Sequence, residues 1–138
     1  MPRKQSLRQK IEKQLSLKKH EDAFLTREFR KFAGEDQVVR ALRTLVKEGQ
    51  LVRLGHGVYG RAMRSSLSGK TILQSPSGFA GVARQALDKL GVKWEPTEAE
   101  RAYNQGRSTQ VPANPAVRVK SRVTRHLHYG KSELRLER

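Results

Sequence analysis

Asp36-Gln37-Val38-Val39-Arg40-Ala41-Leu42-Arg43-Thr44-Leu45-Val46-Lys47-Glu48-Gly49, followed by Leu51-Val52-Arg53-Leu54-Gly55-His56-Gly57-Val58-Tyr59, is the stretch on which the fold turns. Projected at about 100° per residue, the first part places Val38, Val39, Leu42, Leu45 and Val46 on one side of a helix. Gln37, Arg40, Arg43, Thr44 and Lys47 fall on the other. Asp36 is a residue type that caps helix starts, and Gly49 suits a helix end. The second part sets β-favouring residues on both sides of Gly55-His56-Gly57, which is hairpin chemistry because glycine enters positive φ without steric cost.

Upstream, Ser6 can cap a helix carrying Leu7, Ile11 and Leu15 at four-residue spacing and ending near Lys19. Phe24, Leu25, a capping Thr26, Phe29 and Phe32 before Gly34 then predict a short second helix. Three helices followed by a hairpin is the order of a winged helix-turn-helix. Downstream, Arg61 to Gly78 is rich in Ser and Gly and reads as an extended connector with a short strand at Thr71-Ile72-Leu73. Phe79, Val82, Ala83, Ala86, Leu87 and Leu90 predict a helix closed by Gly91, with a strand at Val92 to Trp94 and a helix from Glu98 to Gln105. From Val117 to the end, apolar residues alternate with polar ones in strand fashion, and Tyr129-Gly130-Lys131 sits where a turn belongs. The expected fold is therefore α+β: a winged helix-turn-helix over residues 1–62, a connector over 63–78 and a small α+β domain over 79–138.

The chain has 138 residues, with 29 Lys+Arg against 13 Asp+Glu and a net charge of +16. Residues 1–62 carry 15 basic and 7 acidic side chains and the remainder 14 and 6, so the excess is not confined to a tail. A polyanion is the expected partner, because Lys and Arg that neutralise phosphates release condensed counterions. The absence of Cys excludes a disulfide framework, a thiolate zinc site and a cysteine nucleophile. The longest apolar run is Ala23-Phe24-Leu25, far short of a spanning helix or a signal-peptide core. A cytoplasmic protein, nucleoid-associated when bound to DNA and without a membrane partner, is expected.

A recognition helix buries one stripe and offers a polar, cationic stripe to the major groove, where Arg bonds guanine bidentately. Gln37, Arg40, Arg43, Thr44 and Lys47 meet that demand; an ordinary amphipathic surface helix is the plainer reading. Arg53 and His56 in the hairpin suit sugar-phosphate or a minor groove, or simply a structural hairpin. Arg8 and Lys10, in a run with Arg3, Lys4, Lys13, Lys18 and Lys19, either hold phosphates or solvate the first helix. Arg118, Lys120, Arg122 and Arg125 form either a second polyanion surface or the solvated face of an edge strand.

Enzymatic and cofactor readings find little. Ser68-Gly69-Lys70-Thr71 imitates the end of a phosphate-binding loop, but Arg64 stands where a glycine is needed and Pro76 interrupts the required helix. His126 and His128 lack a third ligand at a supporting spacing, so no metal and no cofactor is expected. Glu98 and Glu100 diverge on a helix, and no nucleophile has an evident base. No catalytic residue is assigned, and a non-enzymatic function is expected.

The segments Ser6–Ile11, Phe24–Phe29 and Gln37–Tyr59 resemble the N-terminal winged helix of AbiEi-like antitoxins of type IV abortive-infection toxin-antitoxin systems. Tyr103-Asn104-Gln105-Gly106-Arg107-Ser108-Thr109-Gln110-Val111-Pro112 resembles a Gly-x-Ser-Thr-Gln-Val-Pro pattern in the C-terminal domain of that group. The resemblance implies a bacterial antitoxin that represses its own operon at inverted repeats in double-stranded DNA and counters a nucleotidyltransferase-like toxin. It implies DNA contacts at Gln37, Arg40, Arg43, Thr44, Lys47 and the hairpin. The chain is shorter than the larger antitoxins, and on physical grounds Thr109 to Pro112 reads as a structural turn or as a toxin-facing surface. An RNA-binding or translation-associated protein, a stand-alone regulator and a partner-holding interaction protein are the alternatives.

Overall fold

The computed structural model describes residues 6–75, 78–106, 115–120, 126–130 and 132–137. Helix α1 (Leu7–Leu17) starts in a capping box: the Ser6 hydroxyl accepts from the Gln9 N–H, and the Gln9 side chain accepts from the Ser6 N–H. Its apolar stripe buries Ile11 and Leu15. Helix α2 (Glu35–Lys47) starts after Gly34 rather than at Asp36, so Glu35 and Asp36 both lie in the first turn, where the helix dipole favours carboxylates. Val38, Leu42 and Leu45 are fully buried. Strands β2 (Leu51–Gly55) and β3 (Val58–Arg64) form the expected hairpin, with Gly57 at φ +68° in its tight turn.

The short second helix expected after a Thr26 cap, carrying Phe29 and Phe32, is reduced to a single 3-10 turn, Thr26–Phe29, and the Phe24 and Leu25 before it lie in strand β1 (Ala23–Leu25). The reason lies in tertiary pairing. All three β1 residues are buried and the strand pairs antiparallel with β3, Ala23 opposite Gly60, Phe24 opposite Tyr59 and Leu25 opposite Val58. β3 is flanked on its other side by β2, giving the order β1-β3-β2.

Alternation along these strands divides the side chains between two cores. Phe24, Tyr59 and Leu51 join Ile11, Phe29 and Leu42 under α1 and α2. Ala23, Leu25, Leu54 and Val58 point to the opposite face, where they meet the second half of the chain. There helix α3 (Gly78–Lys89) contributes Val82, Ala83, Ala86 and Leu87.

The rest of the chain returns to this same body. β3 runs on to Arg64 and pairs with β4 (Thr71–Leu73), so the boundary expected at residues 62 and 63 falls inside a strand. Much of the connector expected over 63–78 is a second hairpin of the same sheet, and Ser68-Gly69-Lys70 turns into β4, not into a helix. Strand β5 (Trp94–Pro96), helix α4 (Glu98–Asn104) and strand β6 (Ala116–Val119) follow. The last elements are β7 (His128–Tyr129), β8 (Ser132–Glu133) and β9 (Arg135–Glu137). β6 lies between β5 and β9, antiparallel to the first and parallel to the second, and β7 pairs with β8 around Gly130. Val117, Val119, Leu127 and Leu134 complete the core shared with Leu54 and Val58. The molecule is α+β, and its two halves are welded through one face of one sheet.

Two glycines permit that weld by their size. A Cβ on Gly55 would stand 2.5 Å from the His126 backbone carbonyl oxygen, which cannot yield, while one on Gly60 would stand 2.6 Å from Leu73 Cδ1, the movable end of a side chain. Polar contacts add to it. Gln85 Oε1 accepts from the Asp22 and Ala23 N–H groups at 2.6 and 2.7 Å, and Tyr129 Oη accepts from the Leu73 N–H. The Arg61 guanidinium reaches the carbonyls of Leu15, Lys18 and Glu21 at the end of α1 while lying over the Phe24 ring. A cation there satisfies orphan carbonyls and complements the helix dipole. Glu28 is held by Lys18 Nζ at 3.0 Å, Lys89 Nζ at 2.8 Å and the Leu25 N–H at 2.6 Å.

The shared core makes a definite expectation for a chain ended at Met63. It leaves Ala23, Leu25, Leu54 and Val58 without α3, so circular dichroism should show no cooperative thermal transition, whereas the full chain melts in one step. A fragment melting within a few degrees of the full chain would contradict the shared core. Glu28 supplies a pH test. Burial pushes its carboxyl up, but the hydrogen bonds from Lys89, Leu25 and Lys18 outweigh this and hold it below its ordinary value of 4.5. Its stabilisation is therefore present above that value and lost as pH falls through the lowered one. Glu28→Gln should cost roughly 1–3 kcal/mol at neutral pH, and the gap to the wild type in urea titrations should shrink on acidification. A gap that holds constant or widens below pH 4.5 would refute this role.

Candidate nucleic-acid interface

Helix α2 and the β2–β3 hairpin are neighbours because both pack on the sheet face that carries Phe24 and Tyr59. Gln37, Arg40, Arg43, Thr44 and Lys47 are all exposed, on the side of α2 opposite Val38, Leu42 and Leu45. They span an arc of about 120°. Arg53, opposite Tyr59 in the hairpin register, projects from β2 on the α2 side of the sheet, and His56 stands exposed at the hairpin turn.

Between these elements lies a cleft of about 430 Å³. Arg43, Lys47, Arg53 and His56 line it together, so the structure joins two helix residues and two hairpin residues singled out independently. Gln37, Arg40 and Thr44 lie toward the other flank of α2 and do not line the cleft. The Thr44 hydroxyl donates to the Arg40 carbonyl within the helix at 3.1 Å.

The side chains of Arg40, Arg43, Lys47 and Arg53 have no ion pair or hydrogen bond among the described residues. Such cations keep their full charge for a partner. Arg8 differs. Its guanidinium binds Glu12 at 2.9 Å and Glu48 through both terminal nitrogens, and these hydrogen bonds, Glu12 first, raise its pKa further above its already high ordinary value. Arg8 occupies the carboxylate of Glu48, the acidic residue directly beside Lys47. Lys10 is half-buried and lies about 200° around α1 from Arg8, so the two do not form one phosphate-facing row.

The second basic surface is not assembled with the first. Arg118 is exposed on β6, with Glu95 and Glu137 as its register partners on the adjacent strands, so carboxylates border it on both sides. Val117 and Val119 on either side of it pack into the core on the sheet face opposite α2. Lys120 is exposed at the end of the strand. Arg122, Arg125 and the Thr109–Pro112 segment lie outside the described residues. Among the described residues no group of three or more His, Asp or Glu can hold a metal, and His126 faces Glu133 at 3.7 Å. No helix among them is long and apolar enough to cross a membrane.

Sequence reasoning missed the residues that assemble the cleft from a distance. Leu25 reaches it from β1 and Leu90 from just beyond α3, and Arg27, clamped on the Lys89 carbonyl, lines it beside them. The apolar run Ala23-Phe24-Leu25 is a usable signal, since an apolar triplet before a turn suits a strand buried on both faces.

The model of one protein family matches residues 10–138, nearly the whole chain. The chain belongs to DUF6088, a family of unknown function. Comparison with curated proteins and with solved structures finds no match.

Proposed function

We propose that this chain is a double-stranded DNA-binding transcriptional repressor, acting through α2 and the β2–β3 hairpin. The observation that carries the reading is the set of unpartnered, exposed cations Arg40, Arg43, Lys47 and Arg53 on one helix face and the adjoining hairpin. The element order supports it: α1, β1, a 3-10 turn, α2 and a hairpin, with β3 between β1 and β2, resembles a winged helix-turn-helix whose second helix is reduced to that turn. In that arrangement α2 enters the major groove, Arg40 and Arg43 face base edges, and Arg53 and His56 follow the flanking backbone. The chain binds and does not catalyse. The antitoxin part of the reading, with autoregulation at inverted repeats and a nucleotidyltransferase-like toxin as partner, rests on the resemblance of Ser6–Ile11, Phe24–Phe29, Gln37–Tyr59 and Tyr103–Pro112 to AbiEi-like antitoxins.

Fluorescence anisotropy with the chain's own promoter duplex tests the DNA reading. Affinity should fall steeply with salt, each phosphate contact adding about 0.9 to the slope of log K against log salt. Arg40→Ala or Arg43→Ala should cost on the order of 1–3 kcal/mol on the promoter and less on random duplex, while Arg118→Ala leaves promoter affinity unchanged. Weak salt dependence, or wild-type affinity in the Arg40, Arg43 and Arg53 variants alike, would reject the interface. Tighter binding of single-stranded RNA than of duplex at equal salt would replace it with the RNA reading.

A further inference from the structure

The cleft beside α2 is more than a strip of charge. Its walls are apolar, with Val39 and Val46 from α2, Tyr59 from β3, and Leu25 and Leu90 from either side. The cations Arg27, Arg43, Lys47 and Arg53 share it; Arg27 is held on the Lys89 carbonyl, and the other three have no partner among the described residues. Glu35 is the one carboxylate among the lining residues, and it stands about 12 Å of helix away from Arg43, too far to neutralise that end. A volume of about 430 Å³ lies within the range of small-molecule sites.

This combination sets the chemistry of an occupant. A phosphodiester alone leaves the half-exposed Val39, Val46 and Leu90 facing water, and a purely apolar compound strips water from the cations without replacing it. A molecule with an apolar or aromatic body and one anionic head meets both demands. We propose that the cleft binds a small organic anion of this kind, and that its binding excludes duplex DNA. The exclusion follows from shared groups: Arg43, Lys47 and Arg53 cannot serve a buried anionic head and a phosphate or base edge together. That second half rests on the DNA-binding reading; the existence of the site does not.

The probe is 8-anilinonaphthalene-1-sulfonate, titrated into the full chain by fluorescence, beside the neutral N-phenyl-1-naphthylamine. The site predicts saturable binding of the sulfonate, at least fivefold weaker for the neutral compound and at least fivefold weaker in Arg43→Ala. Arg43 is exposed, so the variant folds, which a thermal melt verifies. Leu67→Ser, which removes a side chain 98% exposed at the β3–β4 turn, should leave binding unchanged. Displacement of the probe by adenosine monophosphate but not benzoate assigns a nucleotide; the reverse assigns an aryl carboxylate. Equal affinity for the two probes, an unaltered Arg43→Ala titration or loss of binding in Leu67→Ser would overturn the site. Unchanged promoter affinity at saturating sulfonate would overturn the exclusion. A chain that binds no duplex at any salt removes the DNA reading and the exclusion together, while the probe titration still decides the cleft.

Discussion

Everything in this molecule depends on one three-residue strand that is buried on both faces. Phe24 fills the core under α1 and α2, while Ala23 and Leu25 face α3 on the far side. Because β1 pairs with β3 at Phe24 and Tyr59, the same register orients Arg53 on the neighbouring strand toward α2. The lysine and arginine stems around it confirm how central Phe24 is: the Arg61 guanidinium and the Lys89 ammonium both lie about 5 Å from its ring centroid, at 5.1 and 4.9 Å. Each cation belongs to a different tie, Arg61 to the end of α1 and Lys89 to Glu28. The helical half and the C-terminal half thus meet over one aromatic ring.

A net charge of +16 overstates the charge available to a partner, and the structure sorts one kind from the other. Arg61, Lys18 and Lys89 are spent on carbonyls and carboxylates inside the fold. Arg84 and Arg101 are held by Glu100 and Glu95. Arg8 is spent on Glu48, which leaves the C-terminal half of α2 with a cationic surface. Exposed pairs of this kind contribute little stability, so their value lies in the field they shape. Arg40, Arg43, Lys47 and Arg53 remain outward and uncompensated among the described residues.

Local patterns were legible where local forces decide. The Ser6 cap, the stripe of α1, the two sides of α2, the Gly57 turn and the helix ending at Gly91 all follow from residues within a few positions of one another. Phe29 and Phe32 misled because their i, i+3 spacing suits a helix, while Phe24 just before them is fixed by Tyr59, far along the chain. In the Ser/Gly-rich segment from Arg61 to Gly78 the strand at Thr71–Leu73 is legible, but its partner is not, because β3 runs on to Arg64 beyond the residues the first hairpin needs. Gly55 read as turn chemistry, yet its importance is the close passage of the His126 carbonyl. For the site, the two cationic elements were legible separately; the cleft between them was not, because Leu25 and Leu90 enter it only after both halves have packed.

Native-state hydrogen exchange tests the central claim, that one cooperative body supports the cationic face. The amides of Phe24 and Tyr59 in the β1–β3 ladder and of Val82 to Leu87 in α3 should exchange with a common free energy equal to that of global unfolding, and all should shift together in denaturant. Protection of α3 that disappears at a clearly lower free energy, with the β1–β3 ladder still closed, would mean that the second half is an independent appendage, and would contradict the account.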